Sequence, residues 1–395
     1  MTIADLAALK GAHVPKRYIA GTHRTRSPRE TLAAYTPFMR QLGITRLANI
    51  THLDHLGMPV WTGIRPNART LATSQGKGED HDSAKASALM EAIEFHHAEH
   101  LEGLPLRYDT YRGLKRIADV CPVELLPRHP ATRVAAGAPR LWIEGYDVAR
   151  GVPAWVPFSK VCISNAAEPF DAEMLVRSSN GLASGNHRLE AIVHGLCEVI
   201  ERHGGARDDP ARRVYVDLAK VTFPPLRSVL DRLEGADVAV AAWEIPCSIA
   251  VPSYGAMLVE RPTRARWRLV GTYGGAGAHL SPSVAMMRAL TEAVQSRVTF
   301  IAGSRDDMTR AHYWATQDET AQQVFFDRVE AAKGALVPMV EHARETDSFE
   351  GDLATLLECL RAEGHKSVIV VDLTRPELEI PVVTVIVPGL EEGDH

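Results

Sequence analysis

Two groups of glutamates in this sequence have the spacing of side chains that share one face of a helix. In the first group, Ser87, Glu91 and Glu94 stand at i, i+4 and i+7, within about 60° of one another around a helix. Taken alone, such a face is more typical of an acidic surface exposed to solvent. The surrounding SALMEAI segment is mostly apolar, however, and this favours a partly buried position.

The second group lies on a helix that we expect to be buried. Glu190, Glu198 and Glu201 fall at about 0°, 80° and 20° around the helical wheel, and Arg202 borders them at about 120°. The residues between them are apolar nearly all round the helix, which predicts burial. Buried carboxylates are costly unless they are paired or bind a metal, so this group indicates a functional site.

A third helix is predicted after the glycine-rich segment GTYGGAGAHLS, with Ser281 as its cap and Pro282 as its first residue. This helix carries Glu292 and Arg297. We interpret the glycine-rich segment as a loop that could bring backbone N–H groups close to an anion, although a lone loop of this kind is more often a tight turn. A Gly/Ser/Asn-rich loop therefore precedes a glutamate-bearing helix three times.

These carboxylates could gather in one cleft only around divalent cations, because like charges at short range repel one another. Oxygen ligands suit Mg²⁺, which usually lies between carboxylates and substrate phosphates. Arg202, Arg297 and Lys77 lie near the carboxylates in sequence and suit phosphate oxygens. No GxxxxGK[ST] motif occurs, and GKG at 76–78 does not fit one. The residues therefore predict a nucleoside triphosphate site of a different kind.

Two histidine patterns have other possible meanings. His96 and His100 stand at i and i+4, a spacing that can bind zinc, but no glutamate lies between them as in HExxH. We interpret them, together with His97, as a solvent or interface cluster. His194 and Glu198 have the same spacing, but the sequence identifies no third zinc ligand. A histidine packed beside the glutamates is the preferred interpretation.

The predicted elements make a mixture of helices and strands. Ser27, Pro28 and Glu30 predict a capped helix that extends to about residue 42. Helices are also predicted from about residue 83, at 319–333 and at 350–364. Predicted strands include a pair joined by a turn at 56–57, then 141–146, 152–163, 238–245, 249–259, 267–275, 367–373 and 381–387.

Composition excludes several classes of protein. The 395 residues are 45% hydrophobic and 24% charged, as in ordinary globular proteins, and the net charge of −5 argues against a nucleic-acid-binding surface. We find no membrane span and no secretory signal. The five cysteines are widely separated and odd in number, which predicts free thiols in the cytoplasm.

Three segments, in their order and spacing, resemble the YcaO family: SQGKGEDHDSAKASALMEAIE, NGLASGNHRLEAIVHGLCEVIERH and GAGAHLSPSVAMMRALTEAVQSR. The resemblance extends from about Leu53 to Leu390 and includes PVVTVIVPGLE near the end. It implies a mixed α/β (α+β) fold in which helices pack on mixed sheets around an ATP and Mg²⁺ cleft. We predict an N-terminal helical segment at 1–52 and a YcaO domain at 53–395, or one continuous unit.

The resemblance also implies a reaction. Members of this family transfer the ATP γ-phosphate to the oxygen of a peptide-backbone amide, and a nucleophile then adds to the amide carbon. By matching motifs, the implied catalytic residues are Arg202, Glu198 and Glu201. The implied Mg²⁺ ligands are Glu94, Glu190, Glu198 and Glu201. The implied nucleotide and phosphate contacts are Lys77, Ser87, Glu91, Arg202, Glu292, Arg297 and Arg24.

The ending VPGLEEGDH departs from the PxPxP tail that is typical of azoline-forming members. We therefore expect a stand-alone, TfuA-associated enzyme that installs peptide thioamides. The expected partners are a peptide or protein substrate, a TfuA-like protein, a sulfur donor and a second copy of the chain. Three alternatives stay open: an azoline-forming cyclodehydratase, a Mg²⁺-dependent ATPase or ligase that acts on a non-peptide acceptor, and a non-catalytic accessory protein.

Overall fold

The computed structural model describes residues 13–128, 137–165, 175–260, 271–316, 318–340 and 342–392. Its helices are α1 (Pro28–Tyr35), α2 (His81–Glu99), α3 (Tyr111–Leu114), α4 (Arg188–Gly205), α5 (Pro224–Gly235), α6 (Pro282–Ala302), α7 (Arg310–Thr316), α8 (Glu319–Ala332) and α9 (Phe349–Ala362). Its strands are β1 (Arg46–Asn49), β2 (Val60–Ile64), β3 (Thr73–Lys77), β4 (Leu106–Asp109), β5 (Arg140–Asp147), β6 (Val152–Pro157), β7 (Leu182–Ser184), β8 (Val214–Tyr215), β9 (Val238–Glu244), β10 (Ser253–Glu260), β11 (Tyr273–Ala278), β12 (Ile369–Asp372) and β13 (Val382–Ile386). Within these ranges, no helix is both long and apolar enough to span a membrane.

The strands form three sheets. One has the order β1-β2-β3, the second β11-β10-β9-β8, and the third β4-β5-β12-β13-β7 with β6 beside β5. The pairings between these strands are antiparallel. The predicted combination of helices and sheets is confirmed. The expected sheets contain both parallel and antiparallel strand pairs, whereas the observed pairs are antiparallel. Short connections explain this for sequential pairs such as β2–β3 and β10–β11, because parallel neighbours need long crossovers, but not for β5–β12 and β7–β13, which lie far apart in sequence.

The three long glutamate-bearing helices form a ring with the strands that precede them. Helices α2, α4 and α6 follow β3, β7 and β11, respectively. Helix α2 packs on β3 and also contacts β7, α4 packs on β7 and also contacts β11, and α6 packs on β11 and also contacts β3. Each strand–helix unit therefore contacts the next, and the third unit contacts the first.

The predicted glycine-rich loops before α2 and α6 are largely strands, which corrects that part of the sequence interpretation. A Cβ atom at Gly76 in β3 would lie 2.1 Å from the backbone oxygen of Ala84 in α2. A Cβ at Gly277 in β11 would lie 2.1 Å from the backbone oxygen of Ala285 in α6. These glycines allow each strand to contact its helix backbone closely, so their role is packing rather than exposure of N–H groups to an anion.

The N-terminal part agrees with the sequence at its start and differs at its end. The Ser27–Glu30 capping box is present, with reciprocal hydrogen bonds. Helix α1 ends at Tyr35 rather than near residue 42, because Pro37 has no N–H to continue the α-helical hydrogen bonds, and a short 3₁₀ helix follows at Thr36–Phe38. Strand β1 pairs with β2 across the predicted domain boundary at 52/53, so the described N-terminal residues contribute to a shared sheet.

Several other boundaries also shift. Helix α2 begins at His81, two residues before the predicted start, because Asp80 caps it. The strand predicted at 152–163 ends at Pro157, where a short 3₁₀ helix follows. The one predicted at 267–275 corresponds to β11, and its residues 267–270 lie outside the described ranges.

Helix α4 is buried, as its composition predicts. Its buried residues include Glu190 and Glu201, whose relative exposures are 1% and 3%. The apolar side chains of α4 form a core cluster with residues from β13 and α9. Cys197 is buried in this cluster, which confirms its predicted packing role. The carboxylates of α4 are therefore fixed by the core behind them.

The packing role of glycine in β11 predicts different effects for two similar substitutions. Gly277→Ala should destabilise the protein by about 1–3 kcal/mol, because the added methyl group overlaps α6 backbone. Gly274→Ala in the same strand is the matched control, since its Cβ would meet its nearest neighbour at 3.7 Å. Urea denaturation measures both free energies of unfolding, and equal effects would contradict the packing role.

Candidate active site

The glutamates of α2 are held by backbone groups of two different strands. The Glu91 carboxylate accepts a 2.8 Å hydrogen bond from the Gln75 backbone N–H of β3. The Glu94 carboxylate accepts hydrogen bonds from the backbone N–H and the hydroxyl of Ser184 in β7, at 2.7 and 2.6 Å. The face of α2 that the spacing predicts is therefore fixed between its own unit and the next.

The other two helices repeat the contact that Glu94 makes. Glu201 of α4 accepts a 3.0 Å hydrogen bond from the Ala278 backbone N–H of β11. Glu292 of α6 forms an ion pair with Lys77 of β3. A carboxylate of each helix thus contacts the strand of the following unit, which closes the ring.

Burial and mutual repulsion raise the pKa values of three of these carboxyls. Burial raises the pKa of Glu91 to about 7, and the charge of Glu198 contributes to this rise. The pKa of Glu94 rises to about 8 for the same two reasons, with a contribution from Glu91. Burial also raises the pKa of Glu198 to about 7, although the Arg202 charge opposes this. Carboxylates of α2 and α4 are therefore close enough to repel one another.

This donor set fits Mg²⁺. All the candidate ligands are carboxylate oxygens, and a divalent cation would relieve the repulsion that raises their pKa values. Throughout the described ranges, no three His, Cys, Asp or Glu side chains already surround a common metal position. Glu94 and Glu201 instead accept hydrogen bonds from Ser184 and Ala278. Shared coordination of one metal by these carboxylates would therefore require them to move closer together.

Glu190 has a different environment from the other predicted Mg²⁺ ligands. One of its oxygens accepts hydrogen bonds from the backbone N–H and hydroxyl of Thr25, at 2.8 and 2.7 Å. The other accepts 3.3 Å hydrogen bonds from the backbone and side chain of Asn186. The Arg24 Nε lies 3.6 Å away. Glu190 thus anchors the segment before α1, and a metal at Glu190 would have to displace these donors.

Several cations lie among the carboxylates, and the charge of Arg305 also acts on Glu91. Lys77 pairs with Glu292, Arg24 with Glu190, and Arg202 is close to Glu198. Arg288 was not predicted, although it stands four residues before Glu292 on the same face of α6. Its guanidinium contacts Glu201 at 3.4 Å and His194 at 2.9 Å. The spacing rule used for α2 and α4 would have identified it.

Arg297 lies elsewhere, and its role changes accordingly. It is 1% exposed, and it donates hydrogen bonds to Asp54 at 3.0 Å and to Glu260 at 2.5 Å. Five residues separate it from Glu292, so it points about 140° away around the helix. We therefore reassign Arg297 from phosphate binding to this buried ion-pair network.

Ser87 and the histidines of α2 are the remaining predicted positions. Ser87 is half-buried, one turn before Glu91 on α2. The His96 and His100 rings stack with centroids 4.4 Å apart, and His97 beside them is 1% exposed rather than solvent-facing. Burial lowers the pKa of His96 to about 3 and of His97 to about 4, so both rings are neutral packing groups.

Comparison with known proteins gives a consistent family assignment. Residues 75–391 match the family model described as YcaO cyclodehydratase, ATP- and Mg²⁺-binding. A protein encoded in the tfuA 3′ region of Rhizobium leguminosarum bv. trifolii is 33% identical over 410 residues, which cover 98% of this chain and 93% of that protein. A protein of Methanothermobacter thermautotrophicus is 35% identical over 370 residues, with 92% and 94% coverage.

Solved structures show the same fold. The YcaO structure from Methanopyrus kandleri, bound with AMPPCP and Mg²⁺, has a TM-score of 0.74 at 24% identity and covers 97% of this chain and 98% of its own. A heterocyclase in complex with substrate and cofactor has a TM-score of 0.77 at 22% identity. This chain is covered to 97% in that match but spans only 55% of the heterocyclase.

The reassignment of Arg297 predicts a loss of stability rather than of nucleotide affinity. Arg297→Leu should lower the free energy of unfolding by about 3–5 kcal/mol, because Asp54 and Glu260 would stay buried without their cation. Arg361→Leu on the exposed side of α9 is the control and should have little effect. Normal stability of Arg297→Leu, combined with lost nucleotide binding, would restore the phosphate role.

The raised pKa values predict that Mg²⁺ binding releases protons. Near pH 7 the carboxyls of Glu91, Glu94 and Glu198 are partly protonated, whereas Mg²⁺ binds the ionised form. Mg²⁺ affinity should therefore fall as pH decreases, by roughly tenfold per pH unit for each proton released. Calorimetric titration of Mg²⁺ with a non-hydrolysable ATP analogue, in two buffers of different ionisation enthalpy, counts these protons.

The matched variants for this measurement are Glu94→Gln and Glu358→Gln. Glu94→Gln should release fewer protons, since its amide does not titrate, whereas Glu358 is exposed on α9 and its variant should behave as the unaltered protein. Equal proton release by all three proteins would show that Glu94 does not bind the metal.

Proposed function

Because the chain belongs to the YcaO family, we propose that it uses ATP to activate the oxygen of a peptide-backbone amide and that sulfide then replaces this oxygen, giving a thioamide. The observation that carries the proposal is the cluster of mutually repelling carboxylates on α2 and α4, with cations at its edge. Such a cluster suits a metal–triphosphate complex, and the family is one that binds ATP and Mg²⁺.

The proposed reaction balances without an oxidant or reductant. The amide oxygen takes the γ-phosphoryl group of ATP, and ADP leaves. Hydrosulfide adds to the amide carbon and forms the C–S bond. The C–O bond then breaks with its electron pair, and phosphate leaves with the oxygen. The proton of hydrosulfide is lost to phosphate, and the C=S bond remains.

Three groups of residues would share this work. We assign Glu94, Glu198 and Glu201 to Mg²⁺, and Glu190 as a further ligand if it exchanges its present donors. Bound Mg²⁺ would neutralise phosphate charge and fix the orientation of the triphosphate. Glu91 and Ser87 would contact the nucleotide from α2, and Glu292 would do so from α6, where it pairs with Lys77.

The cations would stabilise the charge that develops on the transferred group. We assign Arg202, Arg288, Lys77 and Arg24 to phosphate oxygens, because each lies beside a carboxylate of the cluster. Guanidinium groups bind phosphate with directed hydrogen bonds, and Arg202 and Arg288 are held in place by their carboxylate neighbours. Arg202, Glu198 and Glu201 are therefore the proposed catalytic residues.

The thioamide product and the partners rest on additional support. A relative that spans nearly the whole chain is named for its position in the tfuA 3′ region. We accordingly propose a peptide or protein substrate, a TfuA-like partner, an external sulfur donor and a homodimer.

The mass of the product distinguishes the proposal from its alternatives. Co-expression with a TfuA-like partner and a candidate peptide, followed by mass spectrometry, should show the gain expected when one oxygen is replaced by sulfur. Loss of one water would indicate an azoline-forming cyclodehydratase instead. ADP formation without any peptide modification would indicate a different acceptor.

Variants connect this product to the proposed site. Glu198→Gln and Glu201→Gln should abolish both the modification and Mg²⁺-dependent binding of an ATP analogue, because each removes a carboxylate charge from the cluster. Glu358→Gln is the control with the same chemical change at an exposed position. Unchanged nucleotide binding in both cluster variants would refute this site.

A further inference from the structure

The edge of β11 that faces away from β10 is open. β11 is the terminal strand of its sheet, and β10 is the one strand of the described ranges that pairs with it. The exposure of its residues increases along the strand, from Ala278, which is buried beside Glu201, to Gly274, which is exposed. The open edge therefore leads from solvent to the glutamate cluster.

The pairing register shows which backbone groups point outwards from this edge. The Ala278 N–H donates outwards to α4, whereas the next N–H, that of His279, donates to the Pro252 carbonyl beside β10. Because these directions alternate along an antiparallel strand, the N–H and C=O groups of Gly274 and Ala276 also point outwards. Within the residues that the structure describes, these outward groups have no hydrogen-bond partner.

The side chains of β11 leave this edge uncovered. Sheet edges are usually protected from pairing by charged side chains, prolines or bulges. Residues 274–277 are Gly-Gly-Ala-Gly, so their largest side chain is one methyl group. Packing against α6 explains Gly275 and Gly277, whose Cβ atoms would lie 2.4 and 2.1 Å from its backbone, but not Gly274, whose nearest contact would be at 3.7 Å. The glycine at position 274 instead keeps the edge accessible.

The open edge lies beside the groups that we assign to the nucleotide. A Cβ atom at Gly275 would lie 2.7 Å from the Cβ of Glu292, and one at Gly277 would lie 2.7 Å from the Cβ of Arg288. Both side chains extend from α6 to the neighbouring units of the ring, where they contact β3 and α4, respectively. A peptide paired with β11 would therefore run along the proposed phosphate-binding cations.

We propose that the substrate peptide binds as an added strand on the open edge of β11, through hydrogen bonds to the backbone groups of Gly274 and Ala276. This inference rests on the proposed function and extends it, because it states which part of the substrate the enzyme recognises. Main-chain hydrogen bonds supply the affinity in this mode of binding. The substrate is therefore an extended segment with free backbone N–H groups at the paired positions, and its side chains contribute less.

This mode of binding suits a reaction on a backbone amide. One edge of the bound peptide pairs with β11, and its other edge faces away from that strand. The carbonyl oxygens of alternate residues lie on this second edge, because backbone groups of a strand alternate in direction. These oxygens stay accessible to the γ-phosphate while the rest of the backbone holds the peptide in place.

Hydrogen–deuterium exchange of the full chain tests this edge without requiring catalysis. The protein is loaded with Mg²⁺ and a non-hydrolysable ATP analogue, and the probe is an acetylated and amidated pentapeptide of alternating threonine and valine at millimolar concentration. The probe should slow exchange in segment 273–278 by roughly tenfold. Its analogue with every backbone nitrogen methylated keeps the side chains and should give no protection. No protection by the probe, or equal protection by both peptides, overturns the edge site.

Proline at position 274 tests the same contact from the side of the protein. Gly274→Pro removes an outward N–H and keeps the hydrogen bonds to β10, a change that edge strands tolerate. It should remove the protection by the probe and leave the affinity for the ATP analogue unchanged. Ala276→Pro provides a second variant should the first fail to fold. Leu106→Pro is the matched control, because the Leu106 N–H also points outwards, from the exposed strand β4 of another sheet. Full protection in both β11 variants overturns the edge site.

Turnover then connects the edge to the substrate. In the thioamide-forming assay, Gly274→Pro should raise the KM for the peptide roughly tenfold and leave the KM for ATP unchanged. An unchanged KM for the peptide, or an equal rise in both KM values, overturns the assignment of the edge to the substrate. If no thioamide forms with any peptide, the proposed function fails, whereas the exchange measurement still decides whether a peptide binds to β11.

Discussion

Repulsion between carboxylates that are brought close together is the constraint on which this structure depends. Glu91, Glu94 and Glu198 would move apart if their helices were free to do so, since Glu198 raises the pKa values of Glu91 and Glu94, and Glu91 raises that of Glu94. The ring of strand–helix units prevents this. Glu94, Glu201 and Glu292 each contact a strand of the following unit, so the same side chains that repel also tie the units together. The site therefore holds electrostatic energy that a cation can release.

Glycine packing and this electrostatic arrangement depend on each other. Gly76 and Gly277 let β3 and β11 contact the backbones of α2 and α6 closely. A larger residue would push each helix outward and separate its carboxylates from those of its neighbours. The same strands also supply Gln75 and Ala278, whose N–H groups bind Glu91 and Glu201. Position and hydrogen bonding of the glutamates thus come from the same short strands.

The sequence allows the local part of this arrangement to be predicted. Helical spacing identifies the Glu91/Glu94 face, composition identifies the burial of α4, and the Ser27–Glu30 capping box identifies the start of α1. These local rules do not identify interaction partners that lie far apart in sequence. The glycine-rich segment before α6 was interpreted as an anion-binding loop, because its close contact with the helix depends on the tertiary fold and is not visible in the sequence. Arg297 seemed suitable for phosphate because its distant partners, Asp54 and Glu260, are not visible in sequence, whereas Arg288 could have been recognised from its helical face.

The closed ring also has a consequence for when the site comes into existence. The contacts that close it join residues 90, 77 and 215 positions apart along the chain. The last of these joins β3 to α6, so a growing chain has no complete site until its third helix has been synthesised. Contacts of such long range also form slowly. Fragments that end before α6 lack the Glu292–Lys77 contact, so they hold the carboxylates of α2 and α4 without the unit that closes the ring.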